Sequence, residues 1–575
     1  MKRAPLPLLP GVALLAIAFL YGCSALSSSN TPPPPVISVS LTPAAPQTIQ
    51  QAQTVSIVAT VKGSSDNAVT WSLSGSGFLS DQTATSVTYN APASITAPQT
   101  ATITATAAAD TTKTASLMIR VALSEVPFVM QPLLPPSAAP GGAGFTLTVN
   151  GVGFSTGATV EFNGTPLATT FVSGHRLTAA VPPQDIAMPA TASISVRNPA
   201  PTQLISNVVF FPVATPEVSV TFTSAPGSPI PLSNPDIVAV ADFNGDGRQD
   251  LAVADFFDQG TVDILLGNGD GTFTQAASSP IPIGQPVWGL IAADFNGDGK
   301  ADLAVFTESS NTAGVAILPG NGDGTFAPPA RETQLLVRLG LYVSGDFNGD
   351  GKLDLAVANA DNDSVYILLG NGDGTFAQPL DTPVPGDASG GIAIATGDFN
   401  EDGILDLAIT TGRDNAAAIL LGKGDGTFAP APGSPFKVVG FFPGSLVAAD
   451  FNGDGKLDLA VPNFLSNTVS ILLGNGDGTF SEATGSPIQT GNEPVNMAVG
   501  DFNADGKVDL IVQGQSPANN IVIFLGNGDG TFTHSTPATV TQAGPIAAAD
   551  FNGDGRLDLA VVDSYDGHLF VLLQP

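Results

Sequence analysis

The chain has 575 residues, of which 43% are hydrophobic and 12% charged, with 64 glycines and 48 prolines. This length allows several domains, and the abundance of turn residues favours an all-β protein. The net charge of −32 argues against nucleic-acid binding, and the single cysteine, Cys23, excludes an intrachain disulfide.

The N-terminus has the pattern of an export signal. Two basic residues precede an apolar segment, which predicts a signal peptide at residues 1–22 and not a mature membrane span. The sequence Leu-Tyr-Gly-Cys that ends at Cys23 resembles a bacterial lipobox, although Tyr21 replaces the usual small residue. The resemblance implies cleavage before Cys23 and lipidation of its thiol, which would place the protein in the bacterial cell envelope, at the outer membrane or cell surface. Secretion without a lipid anchor is the alternative. The Ser/Pro-rich composition of residues 23–35 predicts a tether.

Residues 36–124 show alternating apolar and polar residues, as in Thr54–Val61 and Ala101–Thr106. This alternation, interrupted by turn clusters, predicts a small β-sandwich. The segment resembles a bacterial Ig-like surface domain. We predict that Trp71 packs in its core.

Residues 125–214 form a second predicted sandwich. Phe145–Phe154 and Ala158–Gly164 resemble the IPT/TIG type of Ig-like fold. Because the segment is nearly uncharged, we interpret it as a spacer. We interpret His175 and Arg176 as turn residues.

The rest of the chain is organised around one repeated loop, Asp-Phe-Asn-Gly-Asp-Gly-Arg-Gln-Asp at residues 242–250. Seven copies begin at residues 242, 294, 346, 398, 450, 501 and 550, and each keeps oxygen-bearing Asp, Asn, Asp and Asp at positions 1, 3, 5 and 9. A period near fifty residues indicates a repeat architecture.

Alternating oxygen-bearing side chains around a tight turn are the donors that a hard cation such as Ca²⁺ prefers. We assign the side chains at positions 1, 3, 5 and 9 and the backbone carbonyl of position 7. The predicted ligands are Asp242, Asn244, Asp246, Arg248 and Asp250; Asp294, Asn296, Asp298, Lys300 and Asp302; Asp346, Asn348, Asp350, Lys352 and Asp354; Asp398, Asn400, Asp402, Ile404 and Asp406; Asp450, Asn452, Asp454, Lys456 and Asp458; Asp501, Asn503, Asp505, Lys507 and Asp509; and Asp550, Asn552, Asp554, Arg556 and Asp558.

Two other interpretations compete with this one. An EF-hand needs a glutamate at position 12, where the first copy has Val253, and it needs flanking helices, whereas short apolar runs flank this loop. An ion-free turn rich in Asp, Asn and Gly is the second alternative. Mn²⁺ and Mg²⁺ are alternatives to Ca²⁺.

Residues 216–575 carry a net charge of −33, of which the loop aspartates supply 21 negative charges.

The repeat, with its downstream Leu-Gly-Asn-Gly-Asp-Gly-Thr-Phe, resembles the FG-GAP/VCBS repeat, the blade unit of integrin alpha-chain propellers. The resemblance covers residues 215–575. It implies an all-β fold, a seven-bladed β-propeller preceded by the two Ig-like sandwiches, with about seven structural Ca²⁺ ions in the loops between the first and second strands.

The ends of the repeat region predict how the ring closes. The last of the seven repeats lacks a Thr-Phe strand. The segment Val220–Ile230, which precedes the first repeat, matches Gly271–Ile281 within that repeat. We therefore predict that residues 220–224 supply the outer strand of the last blade, which removes exposed sheet edges. Asp270 and its equivalents are predicted to be turn residues.

An anchor, a tether, two spacers and a propeller predict a cell-surface binding or adhesion protein that recognises a protein or glycan. The expected ligand surface is the propeller face opposite the acidic loops. Its candidate contacts are Phe256, Phe257, Asp258, Glu308–Thr312, Arg413, Asp414, Asn415, Phe464 and Leu465 in the loops, with Trp288, Arg338 and Phe442 near the first strands. A carbohydrate-active enzyme and a purely structural envelope protein are the alternatives, although no catalytic pairing stands out.

Overall fold

The computed structural model describes residues 36–43, 47–50, 54–92, 99–122, 127–200, 203–256, 260–309, 312–329, 332–335, 339–359, 363–386, 393–412, 414–439, 445–491, 493–514, 521–535, 544–564 and 566–575. The predicted signal peptide, Cys23 and the tether lie outside these residues. Within them, no helix is long and apolar enough to cross a membrane. The chain divides into two compact units, Met1–Val121 and Ala122–Pro575.

The first unit contains two antiparallel four-stranded sheets, as the alternating pattern predicts. The sheets are ordered β1-β3-β6-β5 and β2-β8-β7-β4. The strands are β1 (Ser38–Thr42), β2 (Gln47–Gln50), β3 (Thr54–Lys62), β4 (Val69–Gly75), β5 (Phe78–Ser80), β6 (Ser86–Asn90), β7 (Gln99–Ala107) and β8 (Thr114–Ala122). Tyr89 is fully buried. Trp71 is only partly buried and its indole N–H donates to the Thr83 carbonyl oxygen at 3.2 Å, so it does not occupy the core position predicted for it.

The second unit begins with a sandwich that we call the second sandwich, residues 128–213. Its sheets are ordered β13-β14-β10-β9 and β12-β11-β15-β16. The strands are β9 (Phe128–Leu134), β10 (Phe145–Val152), β11 (Thr159–Phe162), β12 (Thr165–Pro166), β13 (Ala168–Ser173), β14 (Arg176–Val181), β15 (Ala190–Arg197) and β16 (Val209–Val213), and a short 3₁₀ helix spans Pro183–Ile186. Phe211 is buried between the sheets, 5.6 Å from Phe145 and 6.2 Å from Phe162 between ring centres.

Seven antiparallel sheets, which we number as blades 1 to 7, make up the rest of the unit. Blade 1 contains β19 (Pro235–Ala241), β20 (Asp250–Asp255), β21 (Thr261–Gly267), β22 (Phe273–Gln275) and β23 (Ile281–Pro282). Blade 2 contains β24 (Val287–Ala293), β25 (Asp302–Ser309), β26 (Thr312–Leu318) and β27 (Glu332–Leu335). Blade 3 contains β28 (Leu339–Gly345), β29 (Asp354–Asn359), β30 (Ser364–Leu368) and β31 (Leu380–Pro383). Blade 4 contains β32 (Ile394–Gly397), β33 (Asp406–Thr411), β34 (Ala416–Gly422), β35 (Phe428–Pro430) and β36 (Phe436–Lys437).

Blade 5 contains β37 (Val447–Ala449), β38 (Asp458–Asn463), β39 (Thr468–Gly474), β40 (Phe480–Glu482) and β41 (Ile488–Gln489), with a 3₁₀ helix at Phe464–Ser466. Blade 6 contains β42 (Pro494–Gly500), β43 (Asp509–Gly514), β44 (Ile521–Gly526) and β45 (Phe532–His534). Blade 7 contains β46 (Ile546–Ala549), β47 (Asp558–Asp563) and β48 (His568–Leu573), joined by β17 (Thr223–Ser224) and β18 (Ile230–Pro231). The first strands of neighbouring blades contact one another, and β19 contacts β46, so the seven sheets form a closed ring.

The N-terminal segment closes the last blade as predicted. Thr223 pairs with Leu573 and Ser224 pairs with Leu572, so the outer strand of blade 7 comes from the start of the propeller. Val220 is buried in the cluster between blades 6 and 7, where Phe222 packs as well. Because both ends of the propeller region contribute to one sheet, the ring leaves no open edge at this blade.

The phenylalanine at position 2 of each acidic loop joins neighbouring blades. In six cases its ring lies 5.5–6.2 Å from the Thr-Phe ring of the adjacent blade, in a T-shaped arrangement. At the seventh junction the Thr-Phe turn is missing, and the Gln574 side-chain amide donates to the Phe502 carbonyl oxygen at 2.7 Å.

Candidate ion-binding loops

Each acidic loop connects the first and second strands of its blade, as predicted. We number the loops 1 to 7 with their blades. At position 1 of every loop, the Oδ2 oxygen of the aspartate accepts the backbone N–H of the position-6 glycine at 2.7–2.9 Å. This bond folds the loop back on itself. At position 4 the backbone has a positive φ in every loop. In loops 4 and 6, where Glu401 and Ala504 replace glycine, φ is 58°.

The aspartate at position 9 is fully buried at the start of the second strand in all seven blades. Its Oδ2 accepts the N–H of the position-2 phenylalanine at 2.8–3.0 Å. Its Oδ1 accepts an N–H from the end of the third strand at 2.7–2.8 Å, and in blade 7 that donor is the backbone of Gln574. These carboxylates therefore fix three strands of each blade together.

Burial makes these carboxylates difficult to ionise. It raises the pKa of Asp250, Asp302, Asp406 and Asp458 to about 7, and that of Asp354, Asp509 and Asp558 to about 8. The negative aspartates at positions 1 and 5 of the same loops raise the pKa further, because like charges disfavour ionisation. A cation in the loop would relieve this repulsion.

Positions 3 and 5 shape the turn. The position-3 asparagine Oδ1 accepts the N–H of position 5 at 2.8–2.9 Å. The position-5 aspartate Oδ1 accepts the N–H of position 7 at 2.8–3.1 Å. In loops 1, 2, 3 and 6 the Lys or Arg at position 7 lies 3.5–3.8 Å from the other position-5 oxygen.

The loops bring the predicted ligands together only in part. In the described parts of the chain, no three acidic, histidine or cysteine side chains converge closely enough to hold an ion. The chemistry of the predicted ligands nevertheless fits a hard cation, because the ligand atoms are all oxygens. The Ca²⁺ assignment and its ligand set therefore stay predictions.

Asp270 and its equivalents are turn residues, as predicted. The Asp270 Oδ1 accepts the Thr272 N–H at 3.0 Å and the Thr272 hydroxyl at 2.6 Å, and these bonds lower the pKa of Asp270. The same two bonds recur in the third-to-fourth-strand turns of blades 2 to 6.

The second sandwich packs directly on the acidic loops, so its interpretation as a spacer is wrong. The Ser137 hydroxyl donates to Asp501 of loop 6, and the Thr191 hydroxyl donates to Asp550 of loop 7. His175 lies in the β13–β14 turn, as predicted, whereas Arg176 is the first residue of β14, so its prediction as a turn residue is wrong. The His175 Nε2 is 3.1 Å from Oδ2 of Asp346. The sequence carries no repeat or motif that would reveal these contacts.

A partly open cavity of about 770 Å³ lies between the second sandwich and the ends of the first strands. Pro136, Thr191 and Phe210 line it on one side, and Ala241 and Ala549 line it on the other. The second sandwich thus lies over the side of the ring that carries the acidic loops, with side-chain contacts to loops 3, 4, 6 and 7.

Several predicted ligand contacts lie at the opposite face, where the second strands end and the first strands begin. Trp288 is 39% exposed, and its ring centre lies 4.5 Å from that of Phe256. Beside it, Tyr342 stacks on Phe306 at 3.8 Å, directly over Gly289, where an added Cβ would lie 1.8 Å from the tyrosine hydroxyl oxygen. Leu465 is also exposed. The predicted contacts Phe257, Asp258, Arg338, Arg413 and Phe442 and residues 310–311 lie outside the described residues.

The three histidines are in different environments. His175 contacts loops 3 and 4, His534 packs edge-on against Phe524, and His568 lies beside Phe570. They do not form a shared catalytic group.

Seven blades around a closed ring, with a docked Ig-like sandwich, define a β-propeller protein. The FG-GAP-like repeat family matches residues 242–305, 346–409, 398–461, 463–512 and 501–561, and the FG-GAP repeat family matches residues 287–325. The IPT/TIG domain family matches residues 129–213. The chain therefore belongs to the FG-GAP repeat proteins and carries an IPT/TIG domain, a composition that indicates a binding or recognition role.

Solved structures with related folds are distant in sequence. The periplasmic gluconolactonase of Pseudomonas aeruginosa is 15% identical, with 65% of this chain and 96% of that chain covered and a TM-score of 0.41. A lectin from Burkholderia pseudomallei is 14% identical, with 60% and 97% covered and a TM-score of 0.45. Both scores are below 0.5, so neither likeness bears on the function. No curated protein matches the chain at a significant level.

Proposed function

We propose that this protein is a calcium-stabilised binding protein of the bacterial cell envelope, lipid-anchored through Cys23. In this proposal it recognises a protein or glycan with the propeller face opposite the acidic loops. The signal sequence and the lipobox resemblance support the anchor, and the FG-GAP repeats support a recognition role.

One observation carries the choice of face. The second sandwich covers the loop-side end of the channel through Ser137, His175 and Thr191. Within the second unit, a ligand that approaches the channel therefore has the opposite end available. That end presents partly exposed aromatic side chains, which supply rigid contact area for protein or sugar ligands.

Trp288 is the best candidate contact at that end. Its indole is held edge-to-face by Phe256, while 39% of the residue remains exposed. A tryptophan fixed by packing loses little conformational entropy when it binds a ligand. Leu341, which is 44% exposed, extends the apolar surface beside Tyr342.

Calcium would have a structural role. When bound, it would supply positive charge to the oxygen donors at positions 1, 3, 5 and 9. At tenfold excess over its dissociation constant, each independent ion adds about 1.4 kcal/mol to the free energy of unfolding. The buried position-9 carboxylates, which repel the other loop aspartates, support this role.

A glycan array probed with the mature chain in millimolar Ca²⁺ tests the proposal. Binding to one sugar class, weakened about tenfold or more by Trp288→Ala, would establish glycan recognition at this face. Phe78→Ala is the control, because Phe78 is a 60% exposed aromatic residue in the first unit. If no glycan binds, cross-linking on envelope preparations with the same two variants tests a protein partner. Equal ligand capture by both variants would refute the assignment of the face.

A further inference from the structure

Three side chains of the second sandwich contact three different loops, each at the equivalent carboxylate oxygen. Ser137, His175 and Thr191 each approach Oδ2 of the position-1 aspartate, in loops 6, 3 and 7 respectively. In every case that oxygen also accepts the position-6 N–H of its own loop. The sandwich thus extends the hydrogen-bonding pattern by which each loop holds its first predicted ligand.

Neighbouring contacts reinforce this docking. The His175 Nδ1 lies 3.2 Å from the Gly403 carbonyl oxygen, so the ring bridges loops 3 and 4. The segment that leads into the propeller is held at loops 6 and 7: the Glu217 N–H donates to the Asn503 carbonyl oxygen at 2.7 Å, and the Glu217 carboxylate pairs with Arg556 at 2.8 Å. Ser137 is 2% exposed and Asp501 is 3% exposed, so their contact excludes water.

We propose that loops 3, 6 and 7 are interdomain ion sites, in which ion binding and docking of the second sandwich stabilise each other. The proposal rests on the calcium binding proposed above. Ser137, His175 and Thr191 are positioning residues, because they act through the aspartate and contact no ion themselves.

The coupling follows from the carboxylate that docking and the proposed ion share. The position-1 aspartate that the sandwich side chain holds is also the first predicted ligand of its loop, so docking fixes that ligand in place before an ion binds. The Ser137 and Thr191 hydroxyls orient the aspartate and bring no positive charge that would repel the ion. Coupling between two binding events is reciprocal. If docking of the second sandwich raises the affinity of the loop for the ion, the bound ion stabilises the docked sandwich by the same free energy.

A matched pair of substitutions separates this coupling from simple ion loss. Asp501→Asn and Asp294→Asn each replace a buried position-1 carboxylate, 3% and 7% exposed respectively, with an amide that has one acceptor fewer. The sandwich residues Ser137, His175 and Thr191 contact loops 3, 6 and 7, whereas loop 2 receives none of these three contacts. We expect both variants of the mature chain to lose about one ion in calorimetric Ca²⁺ titration. Only Asp501→Asn should accelerate hydrogen exchange in peptides that contain Ser137, by about fivefold or more.

Decalcification of the wild-type chain should produce the same acceleration in peptides that contain Ser137 and Thr191. If Ca²⁺ binds but these peptides exchange equally with and without it, the coupling is refuted. Equal exchange in Asp501→Asn and Asp294→Asn would refute it as well. An absence of binding heat in the wild-type chain would instead refute the proposed calcium role, and the coupling with it.

A second test changes only the sandwich. Ser137→Ala combined with Thr191→Val removes two hydroxyl donors and leaves every loop residue in place. We expect the Ca²⁺ affinity of two sites to fall about tenfold, within the usual range of coupling between sites. Thr170→Val is the control, because Thr170 is exposed on β13. Unchanged affinities in the double variant, within twofold of the control, would overturn the proposal.

Discussion

The stability of the ion-free protein should fall as pH rises from 5 to 7. Seven buried aspartates have folded-state pKa values of about 7 or 8, far above the usual 3.8. The folded state therefore binds more protons than the unfolded state in this range, and folding weakens as those protons leave. One carboxylate with a folded pKa of about 7 costs about 2 kcal/mol between pH 5 and 7.

Calcium should reverse this dependence, because the ion binds the ionised carboxylates and its affinity rises as they lose protons. The assay is urea denaturation at pH 5, 6 and 7, in metal-stripped buffer and in 10 mM Ca²⁺. The turn aspartates such as Asp270 do not interfere. Their pKa is lowered, so the stability they add is lost only at pH values below this range. Equal slopes of stability against pH in the two buffers would refute the reasoning.

Three further substitutions test the propeller itself by urea denaturation. Ala504→Gly should stabilise the protein by about 0.5–1 kcal/mol, because alanine is strained at φ 58°; a loss of stability would contradict this. Gln574→Ala should cost about 1–3 kcal/mol, because it leaves the buried Phe502 carbonyl without its donor, and an unchanged midpoint would show that the contact is dispensable. Gly289→Ala should cost about 1–3 kcal/mol and increase the exposure of Tyr342, measured by tyrosine fluorescence quenching with Phe78→Ala as the control.

The propeller could be predicted from the sequence because the acidic loop and its flanking apolar runs recur seven times. In blade 1, the apolar runs Ile237–Ala241 and Thr261–Leu266 coincide with β19 and β21 to within two residues at either end. Ring closure was visible because Val220–Ile230 copies a segment of blade 1. The innermost strand β19 is partly exposed, since it faces the central channel, whereas the second strand β29 is buried throughout.

The docking of the second sandwich could not be predicted, because it depends on single side chains that follow no period. Ser137 precedes an isolated bridge, Thr191 lies on a strand and His175 lies in a turn, so no shared pattern marks them. A nearly uncharged segment suggested a spacer. The same lack of charge leaves few positive side chains on the surface that lies against loops 3, 4, 6 and 7.

The type of donor on the sandwich bears on what the loops do. If the loops were only acidic turns, lysine or arginine side chains from the sandwich would be the strongest partners for their carboxylates. Two of the three contacts are instead made by neutral hydroxyls, which donate a hydrogen bond to Asp501 and Asp550 and bring no positive charge. At loop 4, by contrast, the positive charge of Arg176 acts on Asp398. Asp501 is almost fully buried, and burial raises its pKa to about 6, which shows that its charge is unfavourable there. A buried carboxylate with neutral partners is stable when a cation is close by. An ion bound as proposed would supply the positive charge that these neutral donors lack.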